Sequence, residues 1–204
     1  MEKNILTKIE IWNYKYLILY YIILLLICIN VFSQNSKYSN TNDQNYENSI
    51  INIATTQLRK YKINNKNIVT IINFNKGIND ERLYVVDINK RKIILKTTVS
   101  HAFKTGSFKS LLINAENFSN TIDSKKSSIG AYLTKDTYYG KYGYSLNLKG
   151  LDSTNSNAEK RRIIFHSNKL MKTKWSWGCF ATPDKINIKL INIIKNGTLV
   201  YVYK

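Results

Sequence analysis

The sequence predicts a mainly β domain with a few helices, an α+β fold. Runs of β-branched residues recur between residues 68 and 203, turn-forming residues separate them, and two stretches show the apolar spacing of a helix. The chain has 204 residues, of which 44% are hydrophobic, so it is long enough to bury a sizeable core. These values exclude a short disulfide-stapled peptide and a wholly disordered chain.

The N-terminal segment has the pattern of an export signal. Three lysines precede an apolar run over residues 17–32, and this run is shorter than the roughly 20 residues that a membrane-spanning helix needs. Ser33 offers a small residue before a possible cleavage point. We therefore expect residues 1–33 to be a signal peptide that exports the protein to the cell envelope, the periplasm or the cell-wall space. The alternative is an uncleaved membrane anchor.

The remainder of the chain divides into a linker and one domain. Residues 34–48 are rich in Ser, Asn, Tyr and Asp without an apolar period, which predicts a disordered linker. Residues 49–204 contain no internal repeat and are expected to form one domain. The formal net charge of +18 favours anionic surroundings. Nucleic acid is not the expected partner, because the chain has an export signal and no basic recognition helix or known nucleic-acid-binding motif.

The elements of the domain follow from local patterns. A first helix is predicted over residues 48–62 from helical apolar spacing. A second helix is expected from Asp184, which can cap its start, to Asn196-Gly197. Residues 89–92 form a hairpin turn between two strands. Seven strands are predicted, over residues 68–74, 83–88, 93–100, 128–133, 145–148, 163–165 and 198–203.

One cysteine carries the most specific chemical signal. After removal of the signal segment, Cys179 is the only thiol, so an exported chain has no intramolecular disulfide to form. The residue could simply fill a small buried space. Its context, Ser176-Trp177-Gly178-Cys179, favours a functional role, because a glycine before the cysteine lets the backbone turn sharply and approach a substrate closely. In such a turn the Gly178 and Cys179 amides could face a developing oxyanion.

A histidine lies thirteen residues before this cysteine. His166 ends the apolar run of residues 163–165, where a rigid strand could hold the imidazole against the Cys179 thiol. A neutral imidazole can accept the thiol proton and so generate the thiolate that attacks an acyl carbon. Alone, a histidine at a strand end is commonly structural, but its pairing with the only remaining thiol favours a catalytic dyad. Two histidines and one thiol at these spacings do not match a zinc site.

A series of short motifs indicates a family. In order, they lie at residues 82–87, 99–101, 118–120, 127–132, 139–146, 149–152, 157–158, 162–166 and 176–181. From about Arg82 onward the chain resembles the murein L,D-transpeptidase catalytic domain family. The resemblance is to the branch in which the Ser/Thr-His-Gly-Cys signature reads Ser-Trp-Gly-Cys. It implies a β-rich, sandwich-like transpeptidase fold.

The resemblance also implies a partner and a mechanism that needs no metal or other cofactor. Cys179 would attack the carbonyl before the terminal D-alanine of a peptidoglycan tetrapeptide stem, and His166 would act as base and then as acid. An amine from a second stem or from a protein lysine would resolve the thioester, whereas water would make the enzyme an L,D-carboxypeptidase. Ser176, Trp177 and Gly178 would shape the site. Substrate-contacting candidates are His101, Tyr144 and Lys174.

Some positions depart from the family pattern. Ser167 replaces a common glycine and Trp175 a common arginine, and residues 167–174 form a shorter segment than usual. Lys172 or Lys174 could substitute for the arginine. The alternatives to an enzyme are a degenerate member that binds peptidoglycan without turnover and a basic envelope protein that binds anionic glycolipid. The remaining alternative is a cysteine hydrolase that acts on other substrates.

Overall fold

A computed structural model describes residues 2–171 and 173–204, with side chains for residues 19–32, 41–171 and 173–204. The chain forms two compact units, one ending at Glu47 and one spanning Asn48–Lys204. In the described residues no helix is both long and apolar enough to cross a membrane. The signal peptide over residues 1–33 stays a prediction.

Helix α1, Glu2–Lys60, differs from the expected pattern. It includes residues 34–48, the segment for which the sequence predicts a disordered linker. The segment contains neither glycine nor proline, and Ser and Asn cost only about 0.7 kcal/mol per helical residue relative to Ala. A helix can therefore continue through it. The part of α1 in the second unit buries Ile50, Ala54 and Leu58, the apolar positions that predicted a helix there.

The second unit is mainly β, as the sequence predicted. Its described strands form one sheet in the order β3-β2-β1-β8-β4-β5-β6-β7. Two short 3₁₀ helices, Phe103–Thr105 and Phe108–Ser110, lie between the third and fourth strands. The strands are β1 Ile68–Asn73, β2 Leu83–Asp87, β3 Lys92–Thr97, β4 Gly130–Gly140, β5 Gly143–Gly150, β6 Ile164–Ser167, β7 Phe180–Thr182 and β8 Leu199–Tyr203.

The sheet curls around a single core. Phe74 follows β1 and Phe180 begins β7, and four strands separate β1 from β7 in the sheet. Even so, the centroids of these two rings lie 6.5 Å apart. Inward-facing residues from both ends of the sheet consequently share one buried cluster. Burial of this apolar surface on both sides of one core is what stabilises a curled sheet of short strands.

Helix α2, Asp184–Ile194, packs its apolar face into this core through Leu190, Ile191 and Ile194. Pro183 occupies the N-cap, so Asp184 lies in the first turn rather than capping the helix as predicted. A carboxylate in the first turn still favours the helix dipole. The helix ends where predicted, because Asn196 and Gly197 have φ values of 70° and 75°.

Candidate active site

Two paired strands bring the predicted dyad to one face of the sheet. His166 lies in β6, and Cys179 directly precedes β7. The two strands are parallel, with His166 opposite Ala181. Because side chains alternate along a strand, a residue two positions before Ala181 points to the same face as His166. Both residues line a cavity of about 420 Å³, together with Lys141, Tyr142, Leu170, Met171, Thr173, Trp175, Ser176 and Trp177.

The hydrogen bond of the His166 ring defines its tautomer. Nδ1 lies 2.8 Å from the Ser167 carbonyl oxygen, which can only accept, so Nδ1 carries the proton and donates. Nε2 of the neutral ring is then the basic atom. The ring is buried and stacks on Tyr142, with centroids 4.5 Å apart. Burial lowers the pKa of His166, which keeps the imidazole neutral at neutral pH.

The Cys179 thiol is half-buried and rests in its neutral form. Burial raises the pKa of the thiol, while a main-chain contact at Ile164 and the Arg161 guanidinium oppose this rise. Sγ lies 3.5 Å from the Arg162 carbonyl oxygen and donates to it. In the part of the chain that the structure describes, this carbonyl, rather than the His166 ring, is the hydrogen-bond partner of the thiol. The resting dyad is thus an uncharged thiol and an uncharged imidazole in one cavity.

Ser176 organises the turn that presents the cysteine. Its Oγ donates to the Cys179 carbonyl oxygen at 2.6 Å and accepts from the Gly178 amide at 3.2 Å. Gly178 has a φ of +134°, a conformation that favours glycine. The Gly178 amide is therefore occupied within the turn, which differs from the predicted pair of amides facing an oxyanion. The Cys179 amide stays a predicted oxyanion donor.

Trp177 lies at the rim of the cavity, with 72% of its surface exposed. The Lys125 ammonium lies 4.4 Å from the centroid of its ring, a cation–π contact that holds the indole without burying it. Trp177 thus lies at the mouth of the cavity, and the site-shaping role that the family resemblance implies for it stays a prediction.

His101 does not line this cavity. Its ring is fully buried, and Nδ1 accepts from Arg82 Nη2 at 3.1 Å. Burial and the neighbouring guanidinium lower the pKa of His101 to about 3. Its main chain, by contrast, supports the site, because the His101 carbonyl oxygen accepts from the Ser176 amide at 2.9 Å. The predicted cleft-wall role of the imidazole is therefore wrong, since the ring packs into the core.

The remaining substrate-contact candidates also lie elsewhere. The Tyr144 hydroxyl donates to Asn192 Oδ1 at 3.4 Å, on α2. Lys174 donates to Asn79 Oδ1 at 2.7 Å and borders a separate cavity of about 200 Å³. Lys172 is outside the described residues. Within the described residues, no group of three His, Cys, Asp or Glu side chains is arranged to hold a metal ion.

Two residues at the site were not predicted. Tyr142 lies at the β4–β5 turn and forms the face on which the His166 ring stacks. The sequence pattern indicated Tyr144 instead, because the tyrosine-rich segment does not reveal where the turn falls. Arg161 precedes the strand that carries His166, and its pairing with Arg162 in a chain with few arginines was the signal available for it.

Solved structures provide a comparison for the fold. The helical cell shape determining protein Pgp2 from Campylobacter jejuni is 11% identical with a TM-score of 0.48, and the match covers 70% of this chain and 48% of that chain. An L,D-transpeptidase from Stackebrandtia nassauensis is 16% identical with a TM-score of 0.42, covering 74% and 64%. The catalytic domain of the E. faecium L,D-transpeptidase is 13% identical with a TM-score of 0.41, covering 69% and 99%. The chain thus spans about half the length of the Campylobacter protein.

The family of this chain is identified by a family model and not by the solved structures. A search of curated proteins gave no match. The family model for the L,D-transpeptidase catalytic domain matches residues 39–203. This match includes β1–β8, α2 and both members of the dyad, and it spans well over half of the chain. The chain therefore belongs to the L,D-transpeptidase catalytic domain family.

Proposed function

We propose that this chain is a peptidoglycan L,D-transpeptidase that works through a cysteine thioester, with Cys179 as nucleophile and His166 as base. One observation carries the proposal: the thiol and the imidazole lie on the same face of two paired strands and line the same cavity. Membership in the family supports the class of reaction.

The first half of the reaction forms the thioester. As Sγ of Cys179 attacks the carbonyl before the terminal D-alanine of a tetrapeptide stem, Nε2 of His166 accepts the thiol proton. The carbon–nitrogen bond then breaks, the same proton passes to the leaving amine, and D-alanine departs. Because both groups are neutral at rest, proton transfer accompanies attack instead of preceding it. The thiol must turn from the Arg162 carbonyl toward the imidazole, a contact that forms in the substrate complex.

The second half of the reaction resolves the thioester. An acceptor amine gives a proton to Nε2 of His166 and attacks the thioester carbonyl. The Cys179 thiolate leaves and recovers that proton, so the enzyme returns to its neutral state. An amine from a second stem yields a cross-link, and one from a protein lysine attaches that protein. Water in place of the amine would release a tripeptide stem and make the enzyme an L,D-carboxypeptidase.

We also propose that residues 1–33 export the chain to the compartment that contains this substrate. The apolar run over residues 17–32 and its basic flank support this assignment. N-terminal sequencing of the protein recovered from the cell envelope tests it. A mature chain that begins at Gln34 is expected, whereas a chain that retains residues 1–33 would favour a membrane anchor.

The activity is tested with disaccharide tetrapeptide muropeptides, with products followed by mass spectrometry. Wild-type protein is expected to release D-alanine and form dimers, and Cys179→Ala is expected to do neither. Cys28→Ala removes the other cysteine, which is exposed on α1, and should leave the activity unchanged. Tripeptides without dimers would assign the carboxypeptidase reaction. Binding without any product would support the non-catalytic alternative.

A further inference from the structure

We propose that Arg161 is a positioning residue of this site, which ties the segment of residues 119–128 to the back of the turn at Gly178 and fixes a positive charge behind the turn that presents Cys179. This inference rests on the proposed role of Cys179. The family match does not assign a role to Arg161, and the residue lies outside the lining of the catalytic cavity.

The Arg161 guanidinium is anchored at four oxygens of one loop. Nη1 donates to the Ser119 carbonyl oxygen at 2.8 Å and to Ser128 Oγ at 3.2 Å. Nη2 donates to the Lys126 carbonyl oxygen and to Ser124 Oγ, the latter at 3.5 Å. These acceptors all precede β4, whereas Arg161 precedes β6. The fork of donors in an arginine can hold several carbonyls in fixed positions, so this one side chain joins two distant parts of the chain.

The anchored guanidinium lies directly against the cysteine turn. A Cβ atom on Gly178 would lie 3.3 Å from Arg161 Nη2 and 3.4 Å from the Lys126 carbonyl oxygen. Two features thus favour glycine at this position: its positive φ, and the close approach of the Arg161 guanidinium and the Lys126 carbonyl oxygen. If the guanidinium moved, Gly178, which precedes the proposed nucleophile Cys179, would lose this neighbour.

The charge of this guanidinium is not neutralised by its hydrogen-bond partners. All four acceptors are uncharged oxygens, and the half-buried guanidinium stays protonated at neutral pH. Its attraction for a thiolate opposes the rise that burial causes in the pKa of Cys179. A partly buried charge is screened less by water and salt than an exposed one, so this attraction persists at physiological salt.

Other charged or titratable groups also face the thiol. His166 lies on β6, and Arg162 contributes the carbonyl that the thiol contacts. Lys141 and Tyr142 line the cavity from the β4–β5 turn. Lys125 stands over the Trp177 ring. Arg161 differs from these groups because it supports the turn from behind and is fixed at four points.

The test measures how the rate of Cys179 alkylation by iodoacetamide depends on pH. The parent is the full-length Cys28→Ala protein, and alkylation is followed as the increase in intact mass. The variants are Arg161→Gln, Arg161→Lys and the control Arg91→Gln. The control removes the same charge from the β2–β3 turn, at the opposite end of the sheet order from β7. We expect Arg161→Gln to raise the apparent pKa of the thiol by about one unit, and Arg161→Lys and Arg91→Gln to leave it near the parent value.

An alkylation profile of folded Arg161→Gln that superimposes on the parent profile would overturn the proposal. If Arg161→Gln does not fold, the same profile is measured for the double variant Ser124→Ala/Ser128→Ala, which removes both side-chain acceptors of the guanidinium. A guanidinium that is less firmly held predicts a raised apparent pKa of the thiol, and a profile equal to that of the parent overturns the proposal. Because alkylation needs no peptidoglycan, a failure here is separate from a failure of the transpeptidase assay.

Discussion

At the scale of single residues, the reactivity of the site depends on which nitrogen of His166 is free. The Ser167 carbonyl oxygen holds the Nδ1 proton, so only Nε2 can accept the proton of the Cys179 thiol. Burial lowers the pKa of His166 and raises that of Cys179. Both shifts favour the uncharged pair, which is the state that the proposed general-base role of the imidazole requires.

This protonation state predicts the dependence of kcat/KM on pH. Only neutral His166 can act as base, so kcat/KM should rise as the pH increases through the pKa of this imidazole. Because that pKa is lowered, the midpoint should lie below the ordinary value of about 6.5. Steady-state kinetics between pH 4.5 and 8 measure the profile, and His166→Gln should reduce activity about 100-fold or more. A midpoint above 7 would contradict the neutral-base account.

His101 predicts a different effect, on stability. Its pKa is about 3 in the folded chain against about 6.5 when unfolded, so the unfolded state binds a proton first. This contribution to stability is full above pH 6.5 and is lost as the pH falls toward 3, at about 1.4 kcal/mol per pH unit. Urea unfolding at pH 7, 6, 5 and 4 should show a shallower decline for His101→Gln than for wild type. Equal slopes for the two proteins would refute this assignment.

The scarcity of reactive residues made the grouping of Cys179 and His166 predictable. With one thiol after the signal and two histidines, Cys179 and His166 could be paired from sequence alone. Their neighbours were less predictable. The direction of the His101 ring depends on its buried contact with Arg82, and the contact between Arg161 and Gly178 joins residues that are remote from each other in the chain. No local pattern contains that information.

At the scale of elements, the turn before β7 is the most constrained feature of the site. Gly178 combines a φ of +134° with crowding: an added Cβ would lie 2.9 Å from Ile163 Cδ1. Gly197 also has a positive φ, of +75°, but an added Cβ there would meet nothing within 4 Å. A side chain at Gly197 would therefore meet backbone strain alone, whereas one at Gly178 would meet both strain and crowding.

Alanine substitutions at these two positions should differ accordingly. Gly197→Ala is expected to cost about 1–2 kcal/mol of unfolding free energy with no change in activity. Gly178→Ala should cost about 2–4 kcal/mol, because strain and overpacking add, and should lower kcat at least ~100-fold by displacing the nucleophile. Denaturant unfolding and muropeptide turnover measure both effects. Equal costs and unchanged turnover would show that the turn is not constrained as described.

The elements themselves were predicted unevenly. Long β-branched runs identified β1, β2 and β3, because a buried strand needs such residues on the pleated surface. β7 was missed, because three residues are too few to show alternation. Helix α1 was predicted too short at its N-terminus, since residues 34–48 lack an apolar face and only the absence of glycine and proline permits a helix there.

At the scale of the whole molecule, the site belongs entirely to the second unit. Residues 48–60 bury Ile50, Ile51, Ala54 and Leu58, so a truncation that starts at Asn48 retains these contacts. We expect residues 48–204 to unfold cooperatively, with a Tm within a few degrees of the full chain and unchanged turnover. Calorimetry and the muropeptide assay test this. A truncation that unfolds without cooperativity would show that the first unit stabilises the second.

The large positive charge has a supporting function in this account. The proposed chemistry rests on Cys179, His166 and Arg161, whereas the other basic side chains are spread over the chain and favour anionic surroundings.

The thioester at Cys179 is the step on which the proposed function depends most. Intact-protein mass spectrometry after brief exposure to a disaccharide tetrapeptide tests it directly. We predict an adduct equal in mass to the substrate less D-alanine, mapped to the peptide containing Cys179 and absent from Cys179→Ala. Product formation by folded Cys179→Ala, or an adduct on another residue, would contradict the account.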